Sequence, residues 1–139
     1  MKIAEIREKN IPEIAQEFSS EIIGKYRYDP YVKNEDVIEY FINNTTRAIA
    51  SGDAIALQIR KNDKILAFAI IQRSDWDSKL IGVKVAKLKV LVKKSIEESP
   101  FIKFLNFIHR RALQLGYRLI FSRRRHTRSA SVSWARRCV

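Results

Sequence analysis

The 139-residue chain has a single cysteine, Cys138, and only two histidines, His109 and His126. One thiol cannot close a disulfide within a chain, and no cluster of His, Cys or acid recurs at metal-ligand spacing, so disulfide frameworks and metal centres are excluded. The longest unbroken apolar run is Ile65–Ile71, far short of the roughly 20 residues a membrane-crossing helix needs. The charged start MKIAEIREKN lacks the apolar stretch of a secretory signal. Together these absences point to a cytoplasmic protein without membrane partners. No internal repeat, low-complexity tract or linker interrupts residues 1–121.

The last eighteen residues, SRRRHTRSASVSWARRCV, differ from everything before them. They hold six arginines and no acid, and they show no periodic apolar pattern that could join a core. VSWARRCV can be written gtc tcg tgg gct cgg aga tgt gta, which resembles a library adapter whose next codon is a stop. SRRRHTR can be written agc aga aga cgg cat acg aga, which resembles the matching primer. Ser122–Val139 is therefore expected to be translated adapter DNA, with a natural basic nucleic-acid arm as the alternative, and it is set aside from fold reasoning. That removes Cys138, His126 and Trp134. It also lowers the net charge from +12 to +6, because 21 basic and 15 acidic residues remain. Residues 1–121 suit one small domain with a real core.

Within that domain, Lys2–Arg7 alternates apolar and polar residues as a strand does. Asn10 and Glu13 stand at capping-box spacing before Ile11, Ile14, Ala15, Phe18 and Ile22, which predicts an amphipathic helix to about Ile23 that Gly24 stops. An extended aromatic stretch follows from Tyr26 to Tyr31. Asn34 then caps a second helix whose inner face is Ile38, Phe41, Ile42, Thr45 and Ile49, ended by Gly52. Asp53–Arg60 and Lys64–Arg73 are two strands joined through the polar turn Lys61-Asn62-Asp63. ILAFAII is apolar on both faces, which demands a layer above and a layer below the sheet.

Ser74–Lys79 reads as a polar loop and Val83–Lys93 as a further strand. Val83 and Val85 occupy one parity, whereas Leu88, Val90 and Val92 occupy the other, so a bulge is expected near Ala86-Lys87. Ser99 and Pro100 open a third helix with Phe101, Leu105, Ile108, Ala112 and Leu115 as its buried stripe. Gly116 closes that helix, and Tyr117–Phe121 starts a last strand. The expected order is β-α-α-β-β-β-α-β, an α/β class with a bulged central strand.

This order, with MKIAEIREKNIPEI, YRYDPYVKNEDVIEYFINN and DAIALQIRKNDKILAFAII, resembles the front part of the GCN5-related N-acetyltransferase (GNAT) superfamily. It lies nearest the branch that includes dTDP-fucosamine acetyltransferase. The resemblance implies an incomplete three-layer sandwich, acetyl-CoA as acyl donor, and a small-molecule or peptide amine as acceptor. It places the pantetheine arm beside the bulge, along Val90, Leu91, Val92 and Lys93, with Lys94 and Ser95 towards the phosphates. The catalytic residues would lie beyond Phe121, so little or no turnover is expected. The pattern departs from the family at KKSIEESP, where a glycine-rich stretch normally brings bare amides to the pyrophosphate. Here no glycine is present, and Glu97 and Glu98 would face a polyanion.

Other candidates each have a bland and a sharp reading. His109 is a boundary residue of the third helix or a catalytic base. Asp75 and Asp77 around Trp76 form a structural turn or a paired-carboxylate site. Tyr26, Tyr28 and Tyr31 pack between helices or line a substrate mouth. Lys84, Lys87, Lys89, Lys93 and Lys94 are solvated lysines or a positive strip for nucleic acid, although no stacking aromatic interleaves them. Two further functions thus stand beside acyl transfer: a non-enzymatic binding module of the same shape, and a nucleic-acid binder.

Overall fold

The computed structural model describes residues 1–26 and 30–122, so Tyr28 and residues 123–139 lie outside the description. Five strands form one sheet in the order β1-β2-β3-β4-β5. They are β1 (Lys2–Ile6), β2 (Ala54–Lys61), β3 (Lys64–Arg73), β4 (Val85–Lys93) and β5 (Leu119–Ser122). The first four pair antiparallel, and β5 runs parallel to β4. A parallel neighbour needs a long crossover, which α5 (Glu98–Gln114) supplies.

The strand apolar on both faces behaves as the sequence requires. Ile65, Phe68 and Ile70 of β3 enter a core shared with α1 (Ile11–Glu17), α2 (Ser19–Tyr26) and α3 (Asn34–Ala50). Ala67, Ala69 and Ile71 enter a second core against α5, with Phe104, Ile108, Ala112 and Ile120. Three layers result. In the first core the rings of Phe18 and Phe68 meet edge-on at 5.0 Å, and Phe41 and Phe68 meet at 6.3 Å. Such edge contacts add about 1 kcal/mol to the burial of each ring.

Several expected boundaries are corrected. The single first helix is two, because the chain leaves helical geometry at Phe18 (φ −109°, ψ 27°) before α2 begins. A 3-10 turn at Glu8–Asn10 precedes α1, and the Asn10 side chain makes no cap bond, so the capping box does not form. Gly24 does not stop the helix, which continues to Tyr26. α3 starts at Asn34 with Lys33 in the cap position, and α5 starts at Glu98 behind Glu97, one residue before Ser99. Ser74–Lys79 is not a loop but the start of α4 (Asp75–Ile81). Gly82 (φ 84°) closes α4, and Gly116 (φ 91°) follows α5, both in the left-handed conformation glycine tolerates best. No helix among the described residues is long and apolar enough to cross a membrane.

Candidate functional site

The bulge lies in β4, but at Lys89 and not near Ala86-Lys87. Ile70 pairs with Val90 and Ile71 with Leu88, so Lys89 is the extra residue that no β3 residue opposes. The consequence is visible in the packing. Ala86 and Leu88 point into the α5 core, whereas Val90 and Val92, which an unbroken pleat would place on that same face, point into the core of α1–α3. The parity switch therefore falls between Leu88 and Val90, not before Leu88.

The same residue divides the strand's outer edge. The described pairing of β4 with β5 runs from Val85↔Leu119 to Leu88↔Ser122. Beyond it, the Lys94 N–H donates to the Leu66 carbonyl at 2.9 Å. In an antiparallel ladder this phase turns the N–H and C=O of Leu91 and Lys93 away from β3. The Lys25 ammonium of α2 donates to the Leu91 carbonyl at 3.4 Å on that outer side. A stretch of backbone polar groups thus faces outward immediately after the bulge, which is the kind of edge an extended amide-bearing ligand can pair with.

The residues expected to meet a cofactor are arranged about this edge. Val90 and Val92 are buried, Leu91 is half-buried, and Lys93, Lys94 and Ser95 are exposed. The Lys93 ammonium rests 4.7 Å from the centre of the Phe101 ring on one side of the sheet, and Lys94 rests 4.7 Å from Phe18 on the other. The two cations therefore flank the end of the strand, each held by a ring that an ammonium finds favourable. The first turn of α5 offers a weaker anion site, because Glu97 occupies the cap position and Glu98 the first turn. The positive groups at this end of β4 are lysine ammonium groups, not the bare amides of a glycine-rich turn.

The five-lysine strip does not exist as one surface. Lys84 donates to the Leu115 carbonyl at 2.7 Å and lies 4.5 Å over the Tyr117 ring. Lys87 pairs with Asp77 at 3.5 Å, and Lys93 and Lys94 lie on opposite faces. Lys89 differs from the other four. It is half-buried, and among the described residues no carboxylate, carbonyl or ring is its partner. Burial pushes its pKa below the usual lysine range. Nothing in the sequence marks Lys89 out, since a lysine between Leu88 and Val90 reads as ordinary alternation.

The paired carboxylates separate as well. Asp75 pairs with Arg73 at 3.1 Å, and Asp77 accepts from the Ser74 hydroxyl at 2.6 Å. Each has a structural partner at the start of α4, and they share no site. Arg73 also pairs with Asp53 at 2.8 Å. Beside this group Tyr117 is buried, and burial raises its pKa, opposed by Arg73 and reinforced by Asp53 and Asp75. His109 is half-buried on α5, as a boundary position implies. Tyr26 packs on Phe41 at 5.7 Å, while Tyr31 is 92% exposed. No group of three or more His, Cys, Asp or Glu able to hold a metal occurs among the described residues.

No family profile matches this chain, and no curated protein matches it by sequence. Solved structures do match by shape. A GCN5-related N-acetyltransferase from Ralstonia eutropha JMP134 superposes with a TM-score of 0.72 at 9% identity, over 95% of this chain and 89% of that one. A predicted acetyltransferase from Clostridium acetobutylicum, solved with acetyl-CoA, superposes with a TM-score of 0.62 at 15% identity, over 87% and 79%. The aminoglycoside 6'-N-acetyltransferase from Enterococcus faecium gives 0.60 at 17%, over 88% and 61%. The fold is that of the GNAT acetyltransferases.

Proposed function

We propose that residues 1–121 are the front part of a cytoplasmic, acetyl-CoA-dependent N-acetyltransferase, related to the dTDP-fucosamine acetyltransferase branch, and that residues 122–139 are translated adapter sequence. The observation that carries the chemistry is the bulge at Lys89, followed by the outward-facing backbone of Leu91 and Lys93. On this reading the edge Val90–Lys93 pairs with the pantetheine amides, and Lys93, Lys94 and Ser95 hold the phosphates in place of a glycine-rich loop. Acetyl-CoA supplies an acetyl group activated as a thioester, ready for attack by an amine. The chain's own part is to align the donor along β4 and to balance its charge. The acceptor is a small molecule or a peptide bearing an amine. An aminoglycoside is the acceptor named for one structural neighbour, and it serves here as one compound to try.

The test is a thermal melt of the full chain with acetyl-CoA, because a ligand that binds only the folded state raises stability by about 2.7 kcal/mol at a hundred times its Kd. The reading expects a clear rise in Tm that falls when Lys93 and Lys94 are both replaced by Ala. It also expects little or no turnover. Robust acetylation of amines by residues 1–121 contradicts the proposal that the catalytic set lies beyond Phe121. A second reading, a non-enzymatic module of the same shape, draws on Glu97 and Glu98 at the start of α5. An unchanged Tm at saturating acetyl-CoA favours that module and removes the acyl donor.

A further inference from the structure

Four of the five lysines on and beside β4 are accounted for by a carboxylate, a carbonyl or an aromatic ring. Lys89 has none of these among the described residues, although it is half-buried. Leaving an ammonium partly desolvated without a counter-charge is unfavourable, and folded chains seldom keep one without a compensating role. Its position is also unlike theirs. It is the bulge residue itself, unopposed by β3, next to Leu88, the last residue of β4 with a described β5 partner. Bulges re-aim side chains, and this one lies where the β5-paired half of β4 gives way to the outward-facing edge.

We propose that Lys89 is itself an acyl acceptor, a self-modification site that takes the acyl group of a thioester lying along Val90–Lys93. The inference rests on the acyl-donor reading above. The lone pair of Nζ attacks the thioester carbonyl carbon, the N–C bond forms and the C–S bond breaks. The sulfur leaves as thiolate and takes the proton released from nitrogen, so an amide and a free thiol are the products and no other reactant is required. Only the neutral amine is nucleophilic, and burial of Lys89 enlarges that fraction. The product is uncharged, which relieves the desolvation that the ammonium suffers at the bulge. Acylation at Lys89 would thus be both chemically accessible and structurally tolerated.

Two thioesters separate this inference from the function it rests on. The full chain is incubated near neutral pH with acetyl-CoA or with S-acetyl-N-acetylcysteamine, which has a thioester but no phosphate, and acetylated lysines are mapped by peptide mass. The expected result is that Lys89 is labelled at least about threefold faster than exposed Lys93 and Lys94, because it adjoins the edge along which the thioester lies and burial favours its neutral form. The Lys89→Arg variant should lose that fast label while Lys93 and Lys94 keep theirs. Fast labelling by the small thioester without any advantage from acetyl-CoA supports Lys89 and counts against the coenzyme site. Labelling of Lys89 no faster than Lys93 or Lys94 with either reagent overturns the inference, even where acetyl-CoA raises the Tm.

Discussion

The two halves of β4 each hold three apolar residues and one lysine, and they do different things. Val85–Leu88 is held on both edges, by β3 and by β5, and its Lys87 is ion-paired. Val90–Lys93 keeps its pairing to β3 but turns the backbone polar groups of Leu91 and Lys93 outward; Val90 and Val92 fill the opposite core, while Leu91 packs against the α5 core. One inserted residue, Lys89, separates the two. The difference teaches that in a sheet buried on both faces a single bulge can redirect a strand without changing its hydrophobic content.

Removing that residue is the strongest way to break the comparison. Deleting Lys89 would restore an uninterrupted register in which Leu88 and Val90, now adjacent, still face the α5 core and the α1–α3 core respectively. Both cores keep their side chains, so cooperative folding should survive, read by the urea transition, while the rise in Tm with acetyl-CoA that depends on the bulge should be lost. Cavity mutations come next. Leu88→Ala should cost about 2–4 kcal/mol and Val90→Ala about 1–3 kcal/mol in denaturant midpoints. Because the two side chains enter different cores, the double variant should equal the sum within about 0.5 kcal/mol. A large coupling energy would mean that both residues share one core and that the parity switch is misplaced.

The lysines sharpen the contrast at smaller scale. Lys89→Met should raise the Tm by a few degrees at neutral pH, since it removes a half-buried ammonium that has no partner among the described residues. The sign of the pH dependence follows from the lowered pKa: the unfolded chain holds the Lys89 proton more tightly than the folded one. Wild-type stability therefore increases as pH rises from the folded pKa to the usual lysine range, and the advantage of Lys89→Met shrinks over that window. An advantage that stays constant with pH would show that Lys89 is not desolvated. Smallest of all, Lys87→Ala should cost about 1 kcal/mol or less, as expected for a partly exposed ion pair with Asp77.

Much of this architecture was legible in the residues. ILAFAII could satisfy only a double-sided sheet, Gly116 ended α5 where a positive φ is needed, and the face of α3 followed helical spacing. What escaped has physical causes. α4 buries no residue, and Trp76 and Leu80 are exposed, so it has no apolar stripe to betray it. Its real signals were Ser74 before it and Gly82 after it. The bulge was foreseen but misplaced, because helices cover both faces and the parity of a buried residue does not say which core it enters. Lys87, Leu88, Lys89 and Val90 alternate without a break, which conceals the one position where the chain gains a residue. Of the candidate site, the residues of the β4 edge were legible, but the environment of Lys89 depends on that hidden register.

The account turns on the β3–β4 register, and cross-strand nuclear Overhauser contacts between backbone protons measure it directly. The structure predicts that Ile70 faces Val90 and Ile71 faces Leu88, with Lys89 opposite no β3 residue. Contacts linking Ile71 to Lys89 and Gln72 to Leu88 would instead describe a regular ladder, and neither the outward edge nor the exceptional lysine would survive that result.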